Sequence, residues 1–262
     1  MVEFAAGAPC WADVMLPDLE AGKRFYGPLL GWTFGKPDPD RHRYTLAYRD
    51  DKAVGALVAK PDGRMPTVWN VYFASPDARA TARAIHEAGG QVFAGPEQVG
   101  PFGTMVMAAD PVGGVFGVWE GARRPGFSLK DSPGSFCWTE LTTRDPETAD
   151  PFYRAVFGYR TEQIGQAGGA FDYEVWTLPD GPDGAYAGGR LRMDPQAPAA
   201  LPAHFTVLLG VEDCDEAADQ VLGLGGKVRT PPRTSPYGRL AEVTDNQGAR
   251  FTVIDLSRTA EG

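Results

Sequence analysis

The stretch PCWADVMLPDLEAGKRFYGPLLGW at residues 9–32 returns, altered, as FCWTELTTRDPETADPFYRAVFGY at residues 136–159. Cys10 answers Cys137, Trp11 answers Trp138, Asp13 answers Glu140, and Asp18 answers Asp145. Phe25-Tyr26 answers Phe152-Tyr153 and Gly31 answers Gly158, every pair 127 residues apart. Later positions agree at a shift of 135 or 136: Trp69 with Phe205, Gly89-Gly90 with Gly225-Gly226, Phe102-Gly103 with Tyr237-Gly238. Asp110, Gly113 and Phe116 likewise answer Asp245, Gly248 and Phe251. The growing shift puts a few extra residues in the middle of the second copy. Self-similarity of this kind marks a duplicated structural unit. A length of 262 residues suits two domains. The expected division is a first domain over 8–120, a linker over 121–135 (GARRPGFSLKDSPGS) and a second domain over 136–258.

Each copy has a further rhythm of strand, helix, then strands. CWADVML alternates as a strand, and PDLEAGKRFYGPLLG follows as a helix with Asp18 at its N-cap and Gly31 as its stop. A second strand, TVWNVYFA, leads through Ser75-Pro76 into a helix closed by Gly89-Gly90. In the second copy Asp213 and Glu216 have capping-box spacing. The expectation is an α+β fold of four βαβββ modules, two per domain, with helices on the outer face of curved mixed sheets.

Strand alternation splits each strand into two faces. Cys10, Ala12 and Val14, with Trp69, Val71 and Phe73 and with Phe116 and Val118, form an apolar set expected to pack on helices. Trp11 and Asp13, Asn70 and Tyr72, and Trp119 fall on the other, inner face. In the second copy Trp138, Glu140, His204 and Thr206 do the same, and parity adds Arg190 and Arg192. An inner wall of aromatic, polar and a few charged groups is what a small-molecule pocket requires.

A net charge of −9 argues against nucleic acid and anionic membranes as partners. No apolar run approaches the roughly 20 residues of a membrane span. MVEFAAGAPC lacks a basic segment leading into a long apolar core, so a cytoplasmic protein is expected. Three cysteines, none in a C-x-x-C pair, read as reduced core thiols. Glycine-rich stretches such as DGPDGAYAGG do not follow the strand, G-x-G-x-x-G, helix order of a dinucleotide site, and no G-x-S-x-G elbow occurs.

The βαβββ rhythm, with FYGPLLGW and FYRAVFGY ending the first helices and DPVGGVFGVWE and DNQGARFTVID ending each copy, resembles the vicinal oxygen chelate superfamily. That group holds glyoxalase I, bleomycin-resistance proteins and extradiol dioxygenases. The nearer likeness is to two-domain glyoxalase-like proteins labelled hydroxylase or culture-filtrate antigen. The resemblance implies metal sites built from four His, Gln or Glu ligands on paired modules. Carried over, those positions fall on Trp11, Ala56, Asn70 and Gly117, and on Trp138, Arg190, Thr206 and Thr252. None is His, Glu, Asp or Cys, and the chain has three histidines, His42, His86 and His204. The expectation is therefore no metal and no other cofactor.

Trp11 and Trp138 offer an aromatic wall for a flat ligand, or else plug the space a metal would take. Asp13 and Glu140 are candidate general acids or bases, or else hydrogen-bonded anchors at the sheet centre. His204 is a candidate proton shuttle, or else a half-exposed strand-entrance residue. Tyr44, Asn70, Tyr72, Trp119, Tyr173, Arg190 and Thr206 complete the expected ligand lining, with Arg190 for an anionic substituent. Phe102 and Tyr237 cover the mouths or simply pack their turns. The lead expectation is metal-independent binding of an aromatic or apolar small organic molecule, for sequestration or for ligand handling in specialised metabolism. Two rivals stand beside it: a metal-free lyase, isomerase or cyclase using Asp13, Glu140 or His204, and a glyoxalase-like metalloenzyme with atypical ligands. The modules could pair within each domain, first with fourth and second with third, or across a homodimer.

Overall fold

The duplicated helices start and stop where their caps dictate. Asp18 accepts hydrogen bonds from the Glu20 and Ala21 backbone N–H groups, opening α1 (Leu19–Leu30), and Gly31 ends it in a left-handed conformation at φ 66°. Asp145 and Gly158, at φ 70°, do the same for α3 (Pro146–Phe157). A left-handed stop carries no Cβ penalty only at glycine. The other two helices are α2 (Ala78–Glu87), capped by Asp77 just beyond Ser75-Pro76, and α4 (Cys214–Gly223), capped by Asp213.

The computed structural model describes residues 4–179 and 185–260. Its strands form two eight-stranded sheets, one from each copy. The first copy supplies β1 (Pro9–Leu16), β2 (Thr33–Phe34), β3 (Thr45–Arg49), β4 (Lys52–Ala59), β5 (Val68–Ala74), β6 (Gln91–Val99), β7 (Gly103–Ala109) and β8 (Val115–Gly121). Their order is β2-β3-β4-β1-β5-β8-β7-β6. The second supplies β9 (Phe136–Thr143), β10 (Arg160–Gly165), β11 (Asp172–Thr177), β12 (Tyr186–Arg192), β13 (His204–Gly210), β14 (Lys227–Ser235), β15 (Gly238–Thr244) and β16 (Arg250–Asp255). Its order, β10-β11-β12-β9-β13-β16-β15-β14, is the first sheet repeated. The α+β architecture of four βαβββ modules is as the repeat implied.

Contacts divide the chain into two compact units that cut across the repeat. One holds Met1–Trp11, Val71–Gly126 and Thr139–Phe205; the other holds Ala12–Asn70, Phe127–Trp138 and Thr206–Gly262. The second module therefore packs with the third, and the first with the fourth. The residues responsible are the recurring Phe-Tyr and Asp-x-x-Gly motifs. Tyr153 of α3 donates its hydroxyl to Asp110 Oδ2 at 2.8 Å, and Tyr26 of α1 donates to Asp245 Oδ2 at 2.9 Å. Each aspartate is pinned by its own turn: Asp110 Oδ1 accepts from Val112 and Gly114 N–H, Asp245 Oδ1 from Gln247 and Ala249 N–H. Burial holds both aspartates above the ordinary carboxylate range and drives both tyrosines well above theirs.

Two further clasps repeat in the same crossed sense. Trp32 Nε1 donates to Gly134 O at 2.7 Å, and Tyr159 donates its hydroxyl to Gly7 O at 2.6 Å. Gly7 and Gly134 stand 127 residues apart and share a left-handed φ of 79° and 78°. Gly134 and Phe127, the latter stacked on Phe136 at 4.9 Å, thus tie down the second half of the connecting segment. Tyr153→Phe would leave Asp110 buried with one acceptor unfilled, at about 1–3 kcal/mol. The expected result is a lowered urea midpoint with an unchanged slope; no shift would mean that the tyrosine hydroxyl is not a lock.

Aromatic cores fill the space between strands and helices. Phe116 meets Phe73, Phe152, Tyr153, Phe157 and Phe205 within one unit. Trp69 meets Tyr26, Trp32 and Phe251 within the other. Of these, Phe73, Phe116 and Trp69 belong to the alternating strand set expected to face helices, and Phe152, Tyr153, Phe157 and Tyr26 come from the helices themselves.

Candidate functional site

Strand β1 is buried along its whole length, so a carboxylate there must be hydrogen-bonded. Asp13 is 1 % exposed. Its Oδ2 accepts from the Tyr44 hydroxyl at 3.0 Å and its Oδ1 from Asn70 Nδ2 at 2.9 Å. Three residues expected on the inner face, from β1, the segment before β3, and β5, therefore meet within one unit. Each carboxylate oxygen thus accepts from a neutral donor on another segment. Such a group can hold a proton-bearing ligand atom or anchor the strands.

The other unit contains the remaining first-copy residues of the expected lining. Trp11 and Tyr72 are buried and Trp119 is half-buried. Gly117 pairs with Tyr72 in the β5–β8 ladder, and a Cβ on Gly117 would lie 2.1 Å from the Tyr72 ring. The missing side chain is what lets the tyrosine ring lie across the strand. Trp119 Nε1 donates to Arg124 O at 2.7 Å. The Arg124 guanidinium lies 4.5 Å from the centre of the Phe102 ring, so the GPFG turn closes against a cation.

In the second copy the β12–β9 register sets Gly189 opposite Glu140, as β1–β4 sets Ala56 opposite Asp13. Gly189, not Arg190, therefore occupies the position equivalent to Ala56. Its Cβ would lie 2.3 Å from the Tyr173 hydroxyl oxygen, which puts Tyr173 on that face. Tyr173 also stacks on Phe171, which is 51 % exposed, with the rings 6.0 Å apart and 5° from parallel. Glu140, Trp138 and Thr206 are half-buried. His204 is half-buried at the entrance of β13, its Nδ1 2.9 Å from Pro202 O. Of the other histidines, His42 is exposed in a loop and His86 is exposed on α2.

The structure corrects the expected orientation of Arg190 and Arg192. Both face α3. Arg190 Nε and Nη2 bond Asp150 Oδ1 and Oδ2 at 3.1 and 3.0 Å, and its Nη1 bonds Asp172 Oδ1 at 2.6 Å. Arg192 Nε bonds Asp172 Oδ2 at 2.8 Å, and its Nη2 pairs with Glu147. Against the burial that would raise it, these guanidinium bonds hold the Asp172 carboxyl well below the usual carboxylate range. Burial pushes Asp150 up, with Arg190 opposing, and pushes Glu174 up, reinforced by the Asp150 charge. Leu57 holds the position of Arg190 in the first copy, since Val14 pairs with Leu57 as Leu141 pairs with Arg190. The repeat therefore concealed this network; its one sequence signal was the acid-rich α3 beside RLR in β12.

Burial pushes the Cys137 thiol up to about 12 and the Cys214 thiol up to about 11, so neither is a ready nucleophile. With Gly189 substituted for Arg190, the eight positions that the resemblance marks for metal ligands hold Trp, Ala, Asn and Gly in one copy and Trp, Gly, Thr and Thr in the other. That set supplies no imidazole, carboxylate or thiolate, so it does not fit a divalent ion of the glyoxalase type.

The chain matches the family described as Glyoxalase-like domain twice, over residues 12–119 and 138–254. It is 37 % identical over 271 residues to the anthracycline biosynthesis protein DauV of Streptomyces sp. strain C5, covering 98 % of this chain and 96 % of that protein. It is 35 % identical, with the same coverage, to the anthracycline biosynthesis protein DnrV of Streptomyces peucetius. Among solved structures, the Mn(II)-bound glyoxalase from Novosphingobium aromaticivorans superposes with a TM-score of 0.64 at 16 % identity, covering 98 % of this chain and 86 % of that one.

Proposed function

Because the chain belongs to the glyoxalase-like family of the vicinal oxygen chelate superfamily, we propose that it binds a flat aromatic organic molecule on the inner faces of its sheets, without a metal at the family's ligand positions. The observation that carries this reading is the replacement of both first-strand ligand positions by Trp11 and Trp138. Tyr72 and Tyr173 add aromatic surface on the same strand faces. Aromatic rings give large contact area and stack offset on planar ligands. Two relatives are named for anthracycline biosynthesis, and fused-ring aromatics of that chemical kind match such walls. The role that follows is sequestration or ligand handling in specialised metabolism.

Hydroxyanthraquinones titrated into the protein are expected to quench tryptophan fluorescence and raise Tm. Trp11→Ala should weaken binding by about tenfold, ~1.4 kcal/mol. Absence of both quenching and thermal shift at saturating ligand would defeat the reading.

A second reading, proton transfer on the bound ligand, is favoured by the Asp13 geometry with Tyr44 and Asn70. Asp13→Asn, with Glu140→Gln and His204→Asn alongside, should then cut turnover about 10²-fold while leaving quenching intact. Turnover unaffected by all three would remove acid–base chemistry by these groups.

A further inference from the structure

Three carboxylates gather around the buried Arg190 guanidinium beneath α3, and they are not held alike. Arg190 gives Nε and Nη2 to Asp150, and Nη1 to the backbone oxygen and Oδ1 of Asp172. Asp172 also accepts from Arg192 Nε, from Gly168 N at 2.7 Å and from Gln163 Nε2 at 3.1 Å. Glu174 stands in register between Arg190 of β12 and Gln163 of β10, yet the bonds of both run to other acceptors.

Glu174 is 7 % exposed. Its Oε2 has Arg154 Nη2 at 3.5 Å, the outer limit of a hydrogen bond, from a side chain that is 48 % exposed. Its Oε1 is buried and has no hydrogen-bond partner among the described residues. The charged groups that face it are Asp150 and Arg154 from α3, Asp172 from its own strand and Arg190 from β12. Arg192 is taken by Asp172 and Glu147, and Tyr153 of α3 gives its hydroxyl to Asp110. Asp150 and Asp172 therefore use the buried cation, and a third buried charge at Glu174 would stand largely uncompensated. Burial first, and then the Asp150 charge, favour its neutral form.

The first copy places a neutral residue here. Leu46 pairs with Ala56 as Val175 pairs with Gly189, so Thr45 answers Glu174 and Leu57 answers Arg190. Thr45 is fully buried, and its hydroxyl donates to Arg43 O at 2.8 Å. A carboxylic acid, which has a hydroxyl donor and no charge, is the form of Glu174 that resembles it.

We propose that Glu174 keeps its proton at pH values where exposed glutamates have lost theirs, and that losing it to water loosens α3 from β11 and β12, making this contact a pH-sensitive latch. The folded form then binds a proton that an opened or unfolded form releases, so stability falls as pH rises above the ordinary glutamate range. Glu174→Gln fixes the neutral form at nearly the same size. The test compares the full chain with this variant by urea denaturation and by hydrogen exchange of the α3 amides, from pH 5 to pH 8. Relative to the variant, the native folding constant should fall at least about tenfold over that range, and the α3 opening constant, corrected for intrinsic exchange, should rise by about the same factor. Carbon-13 NMR of the native chain, which does not depend on the variant folding, should show the assigned Glu174 carboxyl titrating above the other glutamates. A native chain more stable than the variant at pH 8 would mean an ionised Glu174 paired with Arg154 and would overturn the latch. Parallel pH profiles for the two proteins, α3 opening unmoved by pH, or a Glu174 carboxyl that titrates with the exposed ones would overturn it equally.

Discussion

Arg190→Met is expected to destabilise the protein by about 3–5 kcal/mol and to lower Tm by roughly 10 °C. Its guanidinium is 3 % exposed and neutralises Asp150 and Asp172, which are themselves buried. Removing it strands two carboxylates with a partial replacement at best from Arg192, whose guanidinium also serves Glu147. The pH dependence has a definite sign. In the native protein Asp172 is held below its unfolded value, so its stabilisation is present above about pH 4 and is lost only as pH falls through the depressed folded value. Asp150 and Glu174 are raised, so their penalty at neutral pH is relieved as pH falls through their folded values. In the methionine variant Asp150 and Asp172 lose their cation and both rise. The stability gap between native and variant should therefore shrink from pH 7 toward pH 4. A gap that widened on acidification, or a Tm within about 2 °C of native at pH 7, would rule out the buried-pair account.

Phe116→Ala should cost about 3–5 kcal/mol by lost burial and an unfilled cavity. The ring is fully buried among Phe73, Phe152, Tyr153, Phe157 and Phe205, all in one unit. The adjacent Val115 is 41 % exposed, and Val115→Ala should stay within about 0.5 kcal/mol. Chemical denaturation of the two variants side by side reads the alternation of β8 directly. Similar losses at 115 and 116 would mean that the strand does not present separate faces.

These two residues also show how far sequence reasoning reached. Phe116 was legible because burial alternates with period two along a strand, and the repeat supplied the same pattern at Phe251. The helix caps Asp18 and Asp145 were legible because capping is a local bond between neighbouring residues. The Asp13 partners are half legible: alternation places Asn70 on the same face, but Tyr44 reaches Asp13 from 31 positions away. The Asp110 and Asp245 locks were visible as recurring motifs without their bonds. Their partners, Tyr153 and Tyr26, lie 43 and 219 residues distant.

Arg190 was misread for a specific reason. The shift between copies grows from 127 at Glu140 to 133 at Gly189 across an insertion. A slip of one residue exchanges the two faces of a strand. Parity counted through an insertion therefore loses its meaning, and only the β12–β9 pairing restores it.

By itself the sequence determined the duplication, the βαβββ order, the capped helices and most strand faces, because each rests on spacing between near neighbours. Tertiary structure decided which modules share a compact unit, which way Arg190 points, and that Asp13 is held by Tyr44 and Asn70. Those outcomes depend on strand register and on bonds between segments far apart in the chain, where a buried charge or hydroxyl must find its partner and no local pattern names it.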